Sequence, residues 1–230
     1  MTMKNCRFTI FILFVLFGLS LKAQTHYESN ISIGAKGGVS ISRTFFNPNV
    51  PQGMKIGGVA GFTFRYIEEK YFGLVAELNF EQRGWTENFE DAPYSYSRTI
   101  NYLQLPVLAH IYFGNEKARF FINLGPEIGL FIGESTSANF DIHDYESLPD
   151  FPIRNRNNTQ FVLPVEQTID YGISAGLGAE VFVNKKNSLT LEGRFYYGLG
   201  NQLKSGRTEP FNASNSMSIM VTLGYWFRVK

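Results

Sequence analysis

The strongest constraint in this sequence is a two-residue alternation of apolar and polar side chains, recurring in segments of about ten residues up to the C-terminus. Phe72, Leu74, Ala76, Leu78 and Phe80 carry one phase, and Gly73, Val75, Glu77, Asn79 and Glu81 carry the other. A strand sends successive side chains to opposite faces, so this pattern describes a sheet with one oily and one polar face. Only helices and closed barrels satisfy every backbone group in lipid, and no segment after the N-terminal run is long and apolar enough to span as a helix. Behind a secretory signal, the pattern predicts an all-β protein: an eight-stranded antiparallel transmembrane β-barrel.

The N-terminus reads as that signal. Lys4 and Arg7 precede an apolar run from Phe8 to Leu19, and Ala23 before Gln24 fits a cleavage site. The expected division is a cleaved signal peptide over 1–23 and a barrel domain over 24–230. Cys6 lies within the signal, so the mature chain would carry no disulfide, thiolate ligand or lipid-attachment cysteine. Cleavage removes Lys4, Arg7 and Lys22, which lowers Lys plus Arg from 21 to 18 against 20 acidic residues, a formal −2. Nothing in that balance points to nucleic acid.

Eight strands are expected: Ile31 to Ser42, Lys55 to Tyr66, Phe72 to Trp85, Thr99 to Phe113, Arg119 to Gly133, Gln167 to Val183, Ser188 to Leu199, and Ser216 to Val229. Pro106 and Pro126 cannot donate to a ladder and predict bulges or missing bonds in the fourth and fifth. The connections Ile67–Tyr71, Gly114–Ala118 and Asn184–Asn187 are short, whereas Arg43–Gly53, Thr86–Arg98, Glu134–Glu166 and Gly200–Asn215 are long. In outer-membrane barrels short turns face the periplasm, so both termini are expected there. Phe64, Tyr66, Phe72, Phe113, Phe120 and Phe227 share the lipid phase near the short turns and read as an aromatic girdle.

Four stretches together resemble a known family: Gly34-Ala35-Lys36-Gly37-Gly38-Val39, Glu77 to Gly84, Asn101-Tyr102-Leu103-Gln104-Leu105-Pro106-Val107-Leu108, and Leu124-Gly125-Pro126-Glu127-Ile128-Gly129. Across nearly the whole mature chain the sequence is similar to the PorT-type outer-membrane β-barrel proteins of Bacteroidetes. The resemblance implies an eight-stranded barrel, and its namesake implies a setting in type IX protein secretion. It supplies no catalytic residues and no cofactor.

The phase opposite the lipid holds Lys36, Arg65, Arg83, Arg119, Arg194 and Arg228 with Glu77, Glu81, Glu127, Asp170, Glu180 and Glu192. An eight-stranded barrel has an interior just wide enough for side chains, so these charges are expected to pair as a plug. The alternative is a proton or small-ion path through Glu77, Glu127 and Arg194. Glycines on that phase, Gly34, Gly38, Gly73, Gly176 and Gly178, leave room for the long side chains.

Gly172-Ile173-Ser174-Ala175-Gly176 fits the nucleophile-elbow pattern, but strand alternation runs straight through it. The glycines near Gly37 and Gly57 lack the helix that a phosphate loop needs. Of the histidines, His26 lies in the N-terminal tail, His110 faces inward, and His143 sits between Asp141 and Asp144, a trio with metal-binding chemistry in an ordinary solvated loop. The leading expectation is therefore a non-enzymatic outer-membrane barrel in contact with outer-membrane lipid, engaging envelope or secretion-machinery proteins. Its rival is a small barrel enzyme acting on lipid or peptide. The loop Glu134 to Glu166, with Phe140, Tyr145, Leu148, Phe151 and Phe161, is expected either to pack over the barrel mouth or to bind a partner.

Overall fold

The computed structural model describes residues 29–89, 92–152, 157–206 and 208–230. The expected signal peptide, its cleavage site and His26 lie outside the described residues. Alternation becomes eight long strands: β1 (Asn30–Asn47), β2 (Lys55–Ile67), β3 (Phe72–Glu87), β4 (Tyr96–Gly114), β5 (Ala118–Ala138), β6 (Ile169–Phe182), β7 (Asn187–Asn201) and β8 (Ala213–Arg228). Each pairs antiparallel with its neighbours in sequence, and β1 pairs with β8, so the sheet closes on itself. Closure removes the free strand edges that lipid would not tolerate. Among the described residues no helix is long and apolar enough to cross a membrane, and the crossing is made by strands.

The pairing Phe72–Ile111–Ile122–Leu177–Gly193–Val221–Val39–Gly58 leads round the ring. One step beyond Val59–Glu81, it returns to β3 at Gln82, ten residues above its start. A stagger of that size tilts the strands steeply and leaves a narrow interior. The two phases separate accordingly. Phe62 and Leu223 are 73% and 69% exposed on the outer wall, whereas Glu81 and Arg83 inside are 0% and 1% exposed. The six girdle aromatics all face outward near the short turns, and Tyr66 alone is partly covered.

Short turns lie at one end and long connections at the other. Asn115 accepts from the backbone N–H of Lys117 and Ala118 at 2.8 and 3.0 Å, and Asn184 does the same for Lys186 and Asn187 at 2.9 Å. Such Asx turns let each hairpin reverse within a few residues. Both ends of the described chain sit at the short-turn end, where the Ile31 N–H donates to the Lys230 carbonyl.

At the other end the strands outrun their expected limits, by five residues in β1 and β5 and by three at the starts of β4 and β8. The added segments of β5 and β8 rise above the apolar band as polar, Ser/Thr/Asn-rich strand. The ladder lapses beside the prolines as expected: β3–β4 pairing skips from Ala76–Val107 to Asn79–Gln104, and β4–β5 pairing from Pro106–Glu127 to Ala109–Leu124. A register shift lies between Tyr197 and Asn201, and in the proline-bearing strands the bulge falls away from both prolines, between Asn101 and Tyr102. Near it Gly84 holds φ +144°, and a Cβ there would lie 1.9 Å from the Arg98 carbonyl oxygen.

Because every ladder closes on another, the purified protein in detergent is expected to keep a compact, fast-migrating form on a gel until boiled. Identical mobility before and after boiling, with a helical circular-dichroism spectrum, would contradict the closed ring.

Candidate functional site

The inward face of the strands builds the candidate site, ascending from the short-turn end. Arg65 on β2 grips Glu180 on β6 with two hydrogen bonds of 3.0 and 2.8 Å, and its guanidinium lies 4.5 Å over the Trp226 ring. One level up, Glu77 accepts from Lys36 at 2.6 Å and from Arg194 at 2.7 and 2.9 Å, while Arg194 also bonds Glu192. Asn79 and Asn123 occupy remaining carboxylate lone pairs on Glu77 and Glu192, and His110 bonds Asn123 at 2.7 Å. Gly176 makes this level possible, since a Cβ there would stand 2.6 Å from Glu192 Oε1.

Higher still, Arg83 alone faces three carboxylates: Glu81 at 2.8 Å, Glu127 at 2.6 Å and Asp170 at 3.1 Å. Ser40 and Gln104 donate to Glu81, Ser174 to Glu127 and Tyr196 to Asp170, and the Tyr196 ring stacks 3.8 Å from the guanidinium carbon. Buried charges of this kind are held only where hydrogen bonds complete the coordination of each ion. A cavity of about 20 Å³ among Lys36, Arg65, Glu77, His110, Asn123 and Glu192 has room for a single water.

Ten of the twelve charged residues assigned to the lumen from the sequence are thus brought together, and two are not. Arg119 and Arg228 lie half-buried at the short-turn rim, beside the pairs Gly114–Arg119 and Ser32–Arg228. Among the described residues neither reaches a carboxylate. Arg119 sits 4.9 and 4.8 Å over Tyr112 and Phe182, and Arg228 lies 5.9 Å over Phe182. Periodicity placed them on the correct face, but face carries no information about height along the barrel.

Above Arg83 the inward phase turns aromatic, a level that the alternation alone does not mark. Phe46, Trp85, Tyr96, Tyr102, Phe161 and Phe211 pack into one buried cluster over the mouth. The long loop joins it: Phe151 lies 5.6 Å from Phe89 and 4.9 Å from Tyr94, and Phe161 lies 4.6 Å from Tyr96. Arg98 ties the loop down through Glu134 at 2.6 Å and the carbonyls of Gln160 and Leu163 at 3.1 and 2.7 Å. The loop aromatics pack locally over the mouth.

The rejected motifs fall where strand chemistry puts them. Ser174 stays within β6, paired with Gly125 and Tyr196, fully buried against Glu127. The backbone N–H of His143 donates to Asp141 at 2.9 Å in an exposed turn, and among the described residues no three metal-ligating side chains converge.

A closed eight-stranded ring with a lipid-facing apolar wall and a charged, packed interior is an outer-membrane β-barrel. The chain belongs to the outer membrane protein beta-barrel domain family, whose model matches residues 22–204. Solved structures similar to it include Neisserial surface protein A (9% identity, 86% of this chain and 98% of that one, TM-score 0.44). Others are OprG of Pseudomonas aeruginosa (15%, 85% and 95%, 0.44) and outer membrane protein W of E. coli (16%, 90% and 100%, 0.41). A comparison with curated proteins finds no match.

Proposed function

We propose that this protein is a sealed, non-enzymatic outer-membrane barrel that acts through the surface it presents above the membrane, binding envelope or secretion-machinery partners. The observation that carries this reading is the filled interior: Arg83 and its three carboxylates block the lumen, and the aromatic cap covers the mouth. A channel needs a continuous wet path, and the serine of the nucleophile-elbow match and the lumenal histidine would need access to substrate. Here Ser174 and His110 are both buried beneath the cap. What faces solvent is the outer side of the long loop, with Asp141, His143, Asp144, Glu146 and Asp150 exposed over the aromatic layer.

In this reading residues 1–23 are a cleaved signal, both termini are periplasmic, and the cap faces outward. The resemblance to PorT-type proteins of Bacteroidetes favours a secretion-associated setting. The test joins three measurements on the full-length protein in its own envelope. An epitope tag between Glu146 and Ser147 should be cleaved by protease added to intact cells, while a C-terminal tag should not. Planar-bilayer recordings should show no large steady conductance. A photo-crosslinker at Asp144 should capture a discrete protein that one at lipid-facing Leu191 does not. A protected loop tag overturns the orientation, a large stable current overturns the seal, and the same product from both crosslinkers overturns the assignment to the cap.

A further inference from the structure

On the outer wall, two differently lined recesses meet at one side chain. Arg43 extends outward from β1 at the long-loop end, between Ile41 and Phe45, and is exposed. Below it lies an apolar groove of about 50 Å³ walled by Ile41, Met54, Phe195, Met217 and Ile219. Above it, where β1 runs into the loop 48–54, opens a cleft of about 300 Å³ lined by Thr44, Phe45, Asn49, Gln52 and Asn88. Arg43 lines both.

The height of this junction is set by the register. Arg43 pairs with Met217, two residues above the apolar pair Ile41–Ile219, and on the next strand Phe195 pairs with Ile219. Elsewhere on the ring the outward phase turns polar at a similar level, where Gln82 bonds Asn101 just above Phe80–Leu103. Arg43 therefore stands at the upper edge of the apolar band. Among the described residues no carboxylate pairs with it. Gln52 borders the cleft and is fixed against β1, its side-chain amide donating to the Thr44 carbonyl at 2.5 Å and accepting from the Thr44 N–H at 3.2 Å.

An unpaired guanidinium at a membrane surface favours a phosphate, which it can meet with two parallel hydrogen bonds. Polar space above it and a hydrocarbon-lined groove beneath fit a molecule with a hydrated headgroup and an acyl chain. We propose that Arg43 and these two recesses bind one phosphorylated glycolipid of the outer leaflet, with its phosphate on Arg43, its sugar in the cleft beside Phe45 and an acyl chain in the groove. Phe45, half exposed next to Arg43, offers a ring face to the sugar. The choice of leaflet rests on the orientation proposed above, and the loop-tag experiment tests that orientation separately.

The test is native mass spectrometry of the detergent-purified, full-length mature barrel titrated with lipid A, with its dephosphorylated form and with phosphatidylglycerol. Wild type should retain one lipid A per barrel, at least about tenfold more tightly than either other lipid, which is about 1.4 kcal/mol. Arg43→Gln should lose that preference. Ile219→Trp, which fills the groove while keeping the cation, should weaken lipid A to a similar degree. Lys204→Gln, an exposed loop cation, should change nothing. Gel heat-modifiability checks that each variant is folded, and none of these outward positions touches the lumenal network. Equal retention of lipid A by wild type and Arg43→Gln, or equal retention of lipid A and phosphatidylglycerol by wild type, would overturn the proposal.

Discussion

Replacing Arg83 by alanine is expected to destabilise the folded barrel by about 3–5 kcal/mol, because three carboxylates would then share a buried site with no cation among them. The Arg83 side chain is 1% exposed and its partners Glu81, Glu127 and Asp170 are 0%, 1% and 4% exposed, so water gives little relief. The measurement is the urea midpoint of reversible unfolding in detergent. The double variant Arg83→Ala/Glu127→Gln should recover part of the loss, since it removes one of three like charges and keeps a hydrogen-bonding side chain near Ser174. Lys204→Ala provides the contrast: its 3.2 Å pair with Glu209 is on the surface, its side chain is 59% exposed, and its removal should be nearly silent. A loss for Arg83→Ala no greater than the roughly 1 kcal/mol of an exposed pair would mean that the lumen is wet and that the plug reading fails.

The ring and the membership of its charged interior were legible because both depend on a period of two. Once Phe72, Leu74 and Leu78 are set outward, Glu77 and Glu81 must point inward, and the same logic places Arg83, Glu127 and Arg194. Height was not legible. Arg119 and Arg228 share the inward phase, yet they lie at the short-turn rim, where rings rather than carboxylates surround them. Depth along the axis follows from register and stagger, which are properties of strand pairs rather than of one strand.

The cap was hidden for a related reason. Its members Phe46, Trp85, Tyr102 and Phe211 come from upper strand segments and a connection far apart in sequence, and only closure of the ring brings them together. One local signal was present: the inward phase of β3 changes from Glu81 and Arg83 to Trp85, and that of β4 contains Ile100 and Tyr102. A switch from charged to aromatic inward residues marks the level where the plug ends and the lid begins. The upper strand segments look like loop in the sequence for another reason. Ser/Thr-rich stretches such as Glu134 to Ala138 show no apolar phase, because strand that stands above the membrane has no lipid to face.

Replacing residues 137–160 with a short Gly/Ser linker separates the roles of lid and plug. The strand ladders below are untouched, so the variant should still insert and remain heat-modifiable. It loses the rings of Phe140, Tyr145 and Phe151, and with them contacts such as Phe89–Phe140 at 5.8 Å and Phe140–Phe161 at 5.6 Å, each worth about 0.5–1.5 kcal/mol beyond area burial. It also removes the Gln160 carbonyl that Arg98 holds. The expected result is local: faster hydrogen exchange at Trp85 and Tyr96, with protection of β6 and β7 near Glu180 and Glu192 unchanged. Conductance should stay absent, because Arg83 and its carboxylates lie beneath the removed segment, whereas co-purification of the partner that the Asp144 crosslink identifies in wild type should disappear. A steady current in this variant would make the lid the true seal. Loss of assembly would make the loop part of the folding core, and surviving co-purification of that partner would move recognition from the cap to the wall or the short turns.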